Sequence, residues 1–273
     1  MLSKKKKTEG FLDTIKTLVW ALLLAGLIRT LFFQPYWIPS GSMKDTLLIG
    51  DFLFVNKMAY GYSKHSCPWS LCPFSGRILS KEPKRGDVVV FKHPTTGADF
   101  IKRLIGLPGE KIQMKDGDLF INDIKVPVTN DGLFKEIYEI QGPMQISRPA
   151  CSKPTVQGAI CTKEKFKAEL PNGVIHSMLN VSSGQSLDDT GIYSIPQGHY
   201  FFMGDNRDNS SDSRVRKPRG IGFVPLENIV GRADRVVFSS AGKSILYFWT
   251  WRSDRYFKAV SYTHLTLPTS DLV

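Results

Sequence analysis

The sequence is poor in cysteine and lacks the patterns that are typical of metal or phosphate sites. Four cysteines among 273 residues are too few for a small domain that depends on disulfides for its core. The five histidines are scattered, and neither a glycine-rich phosphate loop nor an HExxH pattern is present. The sequence therefore predicts no cofactor and no metal. A mean hydropathy of −0.15 also excludes a protein with many membrane-spanning helices.

The charge is strongly unbalanced, with 36 lysines and arginines against 25 aspartates and glutamates, or +11. Such an excess is typical of proteins that bind nucleic acid or an anionic membrane surface. Residues 1–34 hold six basic and two acidic residues beside an apolar run, whereas the seven basic and five acidic residues of 200–235 nearly cancel. Since no segment forms a basic stripe, we expect a phospholipid membrane as partner and no nucleic acid.

An apolar segment near the N-terminus predicts one transmembrane helix over residues 15–37, because about twenty apolar residues span a bilayer. The lysines at 4–7 place residues 1–14 in the cytoplasm by the positive-inside rule, and aromatic residues at 36 and 37 suit the far interface. A cleaved signal peptide, with small residues at 25 and 26, is the alternative. Arg29 stands against it, because it occupies the place of the cleavage site.

The rest of the chain predicts an all-β fold. Short β-branched or aromatic runs are flanked by Gly, Pro, Asn or Asp, and no long amphipathic helical pattern follows residue 40. The predicted strands are 52–55, 87–91, 100–105, 118–121, 200–203 and 235–238. Residues 111–196 are more polar and predict a smaller inserted lobe. Residues 261–273 differ abruptly in composition, so we expect a non-native tail there, with a native polar tail as the alternative.

Proximity along the chain favours two disulfides in an oxidising compartment, Cys67 with Cys72 and Cys151 with Cys161. Near the C-terminus, aromatic residues alternate with basic ones and predict a membrane-interface patch. A core strand with solvated charges is the alternative. The patch comprises Trp249, Trp251, Arg252, Arg255, Tyr256, Phe257 and Lys258.

Three segments contain side chains suited to chemistry. Ser42 lies in PSGSM, directly after the predicted membrane segment, although such a triplet is most often an ordinary loop. On a strand, Lys102 shares a face with Phe100 and Leu104, and loss of solvation there lowers a lysine pKa until its neutral amine can act as a general base. An edge-strand lysine that guards against aggregation is the alternative. Residues 204–214, GDNRDNSSDSR, suit either a solvated loop or an ion-paired network that braces a site.

Taken in order, four motifs of this chain resemble those of bacterial type I signal peptidase. They are PSGSM (39–43), RGDVVVF (85–91), FIKRLIGLPG (100–109) and GDNRDNSSDSR (204–214). The resemblance covers residues 11–109 and 197–238. A lysine at position 102 resembles the bacterial and organellar branch of the family.

The resemblance implies a coiled antiparallel β-sheet catalytic core, formed by residues 38–110 and 197–260, with 111–196 inserted as a smaller β-rich lobe. It also implies a single-pass serine endopeptidase of the bacterial inner membrane, with its catalytic domain on the periplasmic side. The inserted lobe and the four cysteines favour a Gram-negative bacterium over an organelle.

Carried over residue by residue, the resemblance implies a mechanism. Ser42 is the expected nucleophile and Lys102 the expected general base. The Ser40 hydroxyl and the Ser42 backbone N–H are expected to form the oxyanion hole. Ser210 is expected to orient the lysine nitrogen by a hydrogen bond.

A supporting network is implied in the same way. Asp212 is expected to pair with an arginine, either Arg214 or Arg103, and so to hold the loop that follows the strand at 200–203. Asp205 belongs to the same set of supporting residues.

The implied substrates are exported preproteins, cleaved after small residues of the Ala-x-Ala type and bound as an extended strand. The residues that match the S1 and S3 pockets are Tyr36, Ile38, Pro39, Met43, Leu47, Phe100 and Ile101. The family usually has phenylalanine where Tyr36 stands. Lys44 and Asp45 occupy a segment where proline is common, and we expect no effect on the chemistry.

Two other functions fit parts of the sequence. A cytosolic self-cleaving regulator of the same Ser/Lys fold predicts an N-terminal helix-turn-helix, in the place where this chain has its apolar segment. A non-enzymatic secreted β-scaffold would use the motifs as structural loops and would tolerate replacement of Lys102.

Overall fold

A computed structural model of the chain describes residues 2–67, 70, 72–142, 147–216, 220–242 and 244–260, with side chains from residue 10 onward. The predicted non-native tail lies outside the described residues. The fold is mostly β, as predicted, with one apolar N-terminal helix and a curled antiparallel sheet.

The helix α1 spans Leu2–Leu31. Its segment Gly10–Leu31 is 22 residues long, apolar enough to cross a membrane, and not buried against the rest of the chain. The prediction that the helix continues to residue 37 is wrong, because Phe33–Trp37 form strand β1. Pro35 explains the difference, since a proline inside a helix removes a backbone hydrogen bond and clashes with the preceding turn.

Sixteen strands lie in the described part of the chain. They are β1 (Phe33–Trp37), β2 (Asp51–Asn56), β3 (Tyr62–Ser63), β4 (Arg77–Ile78), β5 (Val88–Lys92), β6 (Asp99–Gly106), β7 (Lys111–Lys115), β8 (Asp118–Ile121), β9 (Ile124–Lys125), β10 (Val128–Ile137), β11 (Ile160–Glu169), β12 (Ile175–Asn180), β13 (Tyr193–Ser194), β14 (His199–Met203), β15 (Val224–Pro225) and β16 (Ile229–Ser239). Each of the six predicted strands is confirmed, in β2, β5, β6, β8, β14 and β16.

The largest sheet has seven strands in the order β1-β2-β16-β5-β6-β14-β15. Strand β16 pairs with β2 on one side and β5 on the other, and its register shifts twice against β2. Such bulges bend a strand and increase its twist, which accounts for the curl of this sheet. Strand β6 lies between β5 and β14, so the edge-strand interpretation of Lys102 is wrong.

The strands from β7 to β13 form two smaller sheets, β10-β11-β12 and β13-β7-β8-β9. The two long strands β10 and β11 have no counterpart among the predicted strands. Their side chains are largely polar and mostly exposed or half-buried, so the alternation that marks a half-buried strand is weak. The division of the chain at residues 110 and 197 stays a prediction.

Both predicted disulfides, Cys67–Cys72 and Cys151–Cys161, are formed. At the C-terminal patch, Trp249 and Phe257 are 68% and 66% exposed, as a membrane-interface patch requires. The arginines do not follow that prediction. Arg255 is buried in a bidentate pair with Asp51, and Arg252 donates to a backbone carbonyl of the β1–β2 loop. The exposed part of this patch is therefore mainly aromatic.

Candidate active site

The side chains of Ser42 and Lys102 are in contact, although they are 60 residues apart in the sequence. Ser42 lies in the loop between β1 and β2, and Lys102 lies in β6, opposite Val89 of β5. The Lys102 Nζ is 2.6 Å from the Ser42 Oγ, which is hydrogen-bonding distance. Curling of the sheet therefore brings a loop at its β1 edge onto a central strand.

Lys102 is buried, with 4% of its surface exposed. Burial lowers the pKa of Lys102 to about 8, although the carboxylates of Asp212 and Asp205 act to raise it. The Nζ also donates to the Ile101 carbonyl at 3.1 Å. A lysine with such a pKa is partly neutral near pH 7, and a neutral amine can accept a proton.

Asn206 holds the Ser42 loop from the side of the core. Its backbone N–H donates to the Ser42 carbonyl at 3.1 Å, and its Nδ2 donates to the Gly41 carbonyl at 2.9 Å. Asn206 is fully buried, and it was not among the predicted site residues. Its place within GDNRDNSSDSR was the only signal that pointed to it. The position of Ser42 thus depends on the segment that follows β14.

Gly204 lies where that segment packs against the Ser42 loop. A Cβ at this position would lie 2.5 Å from the Ser42 carbonyl oxygen and 2.3 Å from the Ser210 Oγ. Real Cβ atoms do not tolerate such distances to a backbone atom, so this position requires glycine.

Ser210 does not make the predicted hydrogen bond to Lys102. Its hydroxyl is close enough to Asp212 to help lower the pKa of that carboxyl, but it has no partner in full hydrogen-bonding geometry among the described residues. The Lys102 Nζ is directed instead at Ser42 and at the Ile101 carbonyl.

Asp212 pairs with Arg214 rather than Arg103. The two bonds, Nε to Oδ1 and Nη2 to Oδ2, are each 2.9 Å long, and both side chains are buried. Burial raises the pKa of the Asp212 carboxyl, but Arg214, the Gly204 N–H and the Ser210 hydroxyl together lower it below its usual range, so the group stays ionised. The Gly204 N–H also donates to Asp212, at 3.0 Å. The ion pair therefore braces the turn next to the site, as predicted for residues 204–214.

Arg103 forms a second buried pair, with Asp205. The Nε–Oδ1 and Nη2–Oδ2 distances are 2.8 and 2.7 Å. Thr46, in the Ser42 loop, donates to the same carboxylate at 2.5 Å. No sequence pattern indicated Thr46, because its role depends on a contact across 159 residues. Each arginine thus has its own aspartate, so the two pairs add little net charge beside Lys102.

Ser40 lies on the open side of the site. Its Oγ is 3.5 Å from the Ser42 Oγ, and the residue is exposed. A donor in this position faces solvent, where a substrate carbonyl would arrive. Its assignment to the oxyanion hole stays a prediction.

The residues predicted to line the substrate pockets fall into a buried and an accessible group. Ile38, Met43 and Leu47 belong to the apolar core of the large sheet and are at most 2% exposed. The accessible or half-buried ones are Tyr36, Pro39, Phe100 and Ile101. The first group is therefore packed in the core, and the second is at least partly open to solvent.

Among the described residues, no three His, Cys, Asp or Glu side chains come close enough together to hold an ion.

Comparison with known proteins agrees with the motifs. Over residues 11–238 the chain matches the model of a family described as signal peptidase, peptidase S26. Signal peptidase I of Rickettsia typhi is 39% identical over 230 residues, which cover 81% of this chain and 78% of the relative. Signal peptidase I of Rickettsia canadensis is 39% identical over 234 residues, covering 82% and 79%. The chain belongs to the signal peptidase I family. The resemblance inferred from the four motifs is thereby confirmed.

Members of the signal peptidase I family cleave signal peptides from preproteins, so family membership supports a peptidase. The apolar segment Gly10–Leu31 fits a membrane-anchored enzyme of this family. Among solved structures, a signal peptidase I from Enterococcus faecalis is 26% identical, with a TM-score of 0.29, and the match covers 56% of this chain and 97% of that one.

Proposed function

We propose that this chain is a serine endopeptidase that removes signal peptides from exported preproteins, with Ser42 as nucleophile and Lys102 as general base. The observation that carries the proposal is the 2.6 Å contact between the Lys102 Nζ and the Ser42 Oγ. The lowered pKa of Lys102 supports the same roles, since a base must be neutral to accept a proton. Membership of the signal peptidase I family supports the substrate class.

In the acylation step, the neutral Lys102 amine takes the Ser42 hydroxyl proton while the Oγ attacks the scissile carbonyl carbon. Negative charge develops on the carbonyl oxygen, where the Ser42 backbone N–H and the Ser40 hydroxyl are the proposed donors. The C–N bond then breaks, and the amine of the mature protein takes the proton from the Lys102 ammonium. The signal peptide remains as an ester on the Ser42 Oγ.

In the deacylation step, the neutral Lys102 takes a proton from a water molecule whose oxygen attacks the ester carbonyl. The ester bond breaks, the Ser42 Oγ receives the proton from Lys102, and the signal peptide leaves with its new carboxyl group. One lysine thus serves both steps. Its amine takes the part that the histidine imidazole plays in a Ser-His-Asp triad.

Selection of small residues, of the Ala-x-Ala type, is proposed from the shape of the surroundings. The buried group of pocket residues fills the space beneath the loop, so little depth remains for a larger substrate side chain. Strand β1 lies at an edge of the large sheet, next to the loop, and an extended substrate would add there as a further strand.

We also propose a single-pass enzyme in a bacterial inner membrane, with the catalytic core on the periplasmic side. The unburied apolar segment of α1 supports the anchor. The four lysines at 4–7 support a cytoplasmic N-terminus by the positive-inside rule. Two disulfides in the body of the chain support an oxidising compartment.

The proposal is tested with the full chain in detergent micelles and a preprotein that ends its signal peptide in Ala-x-Ala. We expect cleavage after that motif, identified by mass spectrometry, and none with Ser42→Ala or Lys102→Ala. The exposed Lys111 offers a matched control, and Lys111→Ala should cleave like the wild type. All variants should unfold cooperatively. Cleavage by either Ser42→Ala or Lys102→Ala would reject the dyad, and absence of cleavage by the wild type would favour the scaffold interpretation.

A further inference from the structure

Lys44, two residues after Ser42, is tied to the inserted lobe by buried polar contacts. Its side chain is only 4% exposed. The Nζ donates to the Glu136 Oε2 at 2.5 Å and to the Gln141 Oε1 at 2.7 Å. Glu136 lies in β10, and Gln141 follows that strand. A segment more than 90 residues away thus holds the nucleophile loop.

The contacts form a closed cluster. The second oxygen of Glu136 accepts from the Lys163 Nζ at 2.6 Å, and the Gln141 Nε2 donates to the Glu136 Oε2 at 2.8 Å. Two buried ammonium groups therefore share one carboxylate. Burial lowers the pKa of Lys44 and Lys163 adds to that effect, whereas Glu136 opposes it. Lysines are seldom fully buried unless paired, so these contacts set where the Lys44 side chain can lie.

The stem of Lys44 packs directly beneath the residue that precedes Ser42. A Cβ on Gly41 would lie 3.2 Å from the Lys44 Cε, and the Lys44 N–H donates to the Gly41 carbonyl at 3.2 Å. The same carbonyl accepts from Asn206 of the core, at 2.9 Å. The Gly41 carbonyl thus accepts hydrogen bonds from both Asn206 and Lys44, which together hold the Gly41–Ser42 peptide.

The next residue repeats the connection to the lobe. The Asp45 Oδ2 lies 2.8 Å from the Lys165 Nζ of β11 and accepts from the Ser177 Oγ of β12 at 3.1 Å. Consecutive residues of the nucleophile loop therefore contact all three strands of the β10-β11-β12 sheet.

We infer that Lys44 is a positioning residue for Ser42 and that, through it, the inserted lobe sets the distance between Ser42 and Lys102. This inference rests on the proposed function, because it assigns Lys44 a part in that cleavage. It departs from the expectation that Lys44 and Asp45 have no effect on the chemistry. Misplacing a reacting group by about 1 Å costs roughly a hundredfold in rate, and the loss falls on kcat when binding contacts are intact.

Lys44→Met is the informative variant. Methionine keeps most of the stem length that packs under Gly41, but it lacks the ammonium that binds Glu136. The lobe then retains a one-to-one pair of Glu136 with Lys163, so we expect the variant to fold. Lys167→Met is the matched control, because Lys167 lies on β11, is 54% exposed and pairs with Asp131 outside the loop. A charge exchange, Lys44→Glu with Glu136→Lys, preserves the two lysines and one carboxylate of the cluster.

The experiment measures kcat and KM on a preprotein, and hydrogen–deuterium exchange of residues 38–47, for the full chain in detergent micelles. We expect Lys44→Met to lower kcat about 10- to 100-fold with KM within about twofold. Hydrogen–deuterium exchange in the loop of Lys44→Met should be faster than in the wild type. Lys167→Met should match the wild type in both measurements. The double variant Lys44→Glu with Glu136→Lys should regain at least part of kcat.

Several outcomes would overturn the inference. They are a kcat of Lys44→Met within about twofold of the wild type, equal losses in Lys44→Met and Lys167→Met, and a loss that the charge exchange does not reduce. If the wild type cleaves and Lys44→Met is unimpaired, only this inference fails. If the wild type cleaves no preprotein, the proposed function fails. In that case, hydrogen–deuterium exchange of residues 38–47 that is the same in Lys44→Met and the wild type would reject the positioning role as well.

Discussion

Raising the pH should activate the proposed base, because only a neutral Lys102 can accept the Ser42 proton. Burial lowers the pKa of Lys102 to about 8, against an ordinary value of 10.5. With that pKa, about a tenth of the molecules hold a neutral lysine at pH 7 and about nine tenths at pH 9. The rate of cleavage should therefore rise about tenfold per pH unit below pH 7 and level off above about pH 9.

The magnitude follows from the surroundings of the amine. The carboxylates of Asp212 and Asp205 would raise the pKa, but each is already paired with its own arginine, so desolvation outweighs them. A lysine left in water would be about 0.3% neutral at pH 8, so its rate there would be more than a hundredfold lower. The midpoint of the pH profile thus reports how far the fold has desolvated Lys102.

The assay measures kcat/KM on a preprotein from pH 5.5 to 10 at constant ionic strength, since this ratio reports ionisations of the free enzyme. Circular dichroism at each pH identifies any range in which the chain unfolds. A profile that is flat from pH 6 to 9 would refute the neutral-lysine mechanism. One that still rises tenfold per unit at pH 10 would refute the lowered pKa of Lys102.

Three further predictions concern stability and packing. The pKa of Lys102 is lower in the folded chain than in the unfolded one. The free energy of unfolding should therefore rise by about 3 kcal/mol from pH 8 to pH 10.5, relative to that of Lys102→Met. Urea unfolding that gives the same pH dependence for both proteins would contradict this. Asp212→Asn should lower the free energy of unfolding by about 3–5 kcal/mol, because it leaves the Arg214 cation buried without its carboxylate. A change under about 1 kcal/mol, measured by urea unfolding, would contradict this prediction. Gly204→Ala should lose cleavage, because its Cβ would lie 2.5 Å from the Ser42 carbonyl oxygen. Gly191→Ala should cleave normally, because a Cβ there would have nothing within 4 Å. Equal rates for the two variants would show that the segment can move aside.

Local patterns predicted much of this molecule. The apolar N-terminal helix, the six predicted strands and both disulfides follow from runs of a few residues whose physical preferences agree with their final environment. The predicted helix is too long, because apolar length favours its continuation to residue 37 whereas Pro35 prevents it. Strands β10 and β11 have no sequence signal, because backbone pairing between them, rather than burial of one apolar face, holds these mostly polar segments in place.

The sequence by itself determined the motifs, and with them the family and the choice of Ser42 and Lys102 as the proposed catalytic pair. Only the tertiary structure decided which arginine faces Asp212, that Lys102 bonds to Ser42 and not to Ser210, and that Asn206 and Thr46 hold the Ser42 loop. The same is true of the contact between Lys44 and Glu136. The reason is that these choices depend on distances between segments up to 165 residues apart, which are set when the curled sheet closes and not by any local preference.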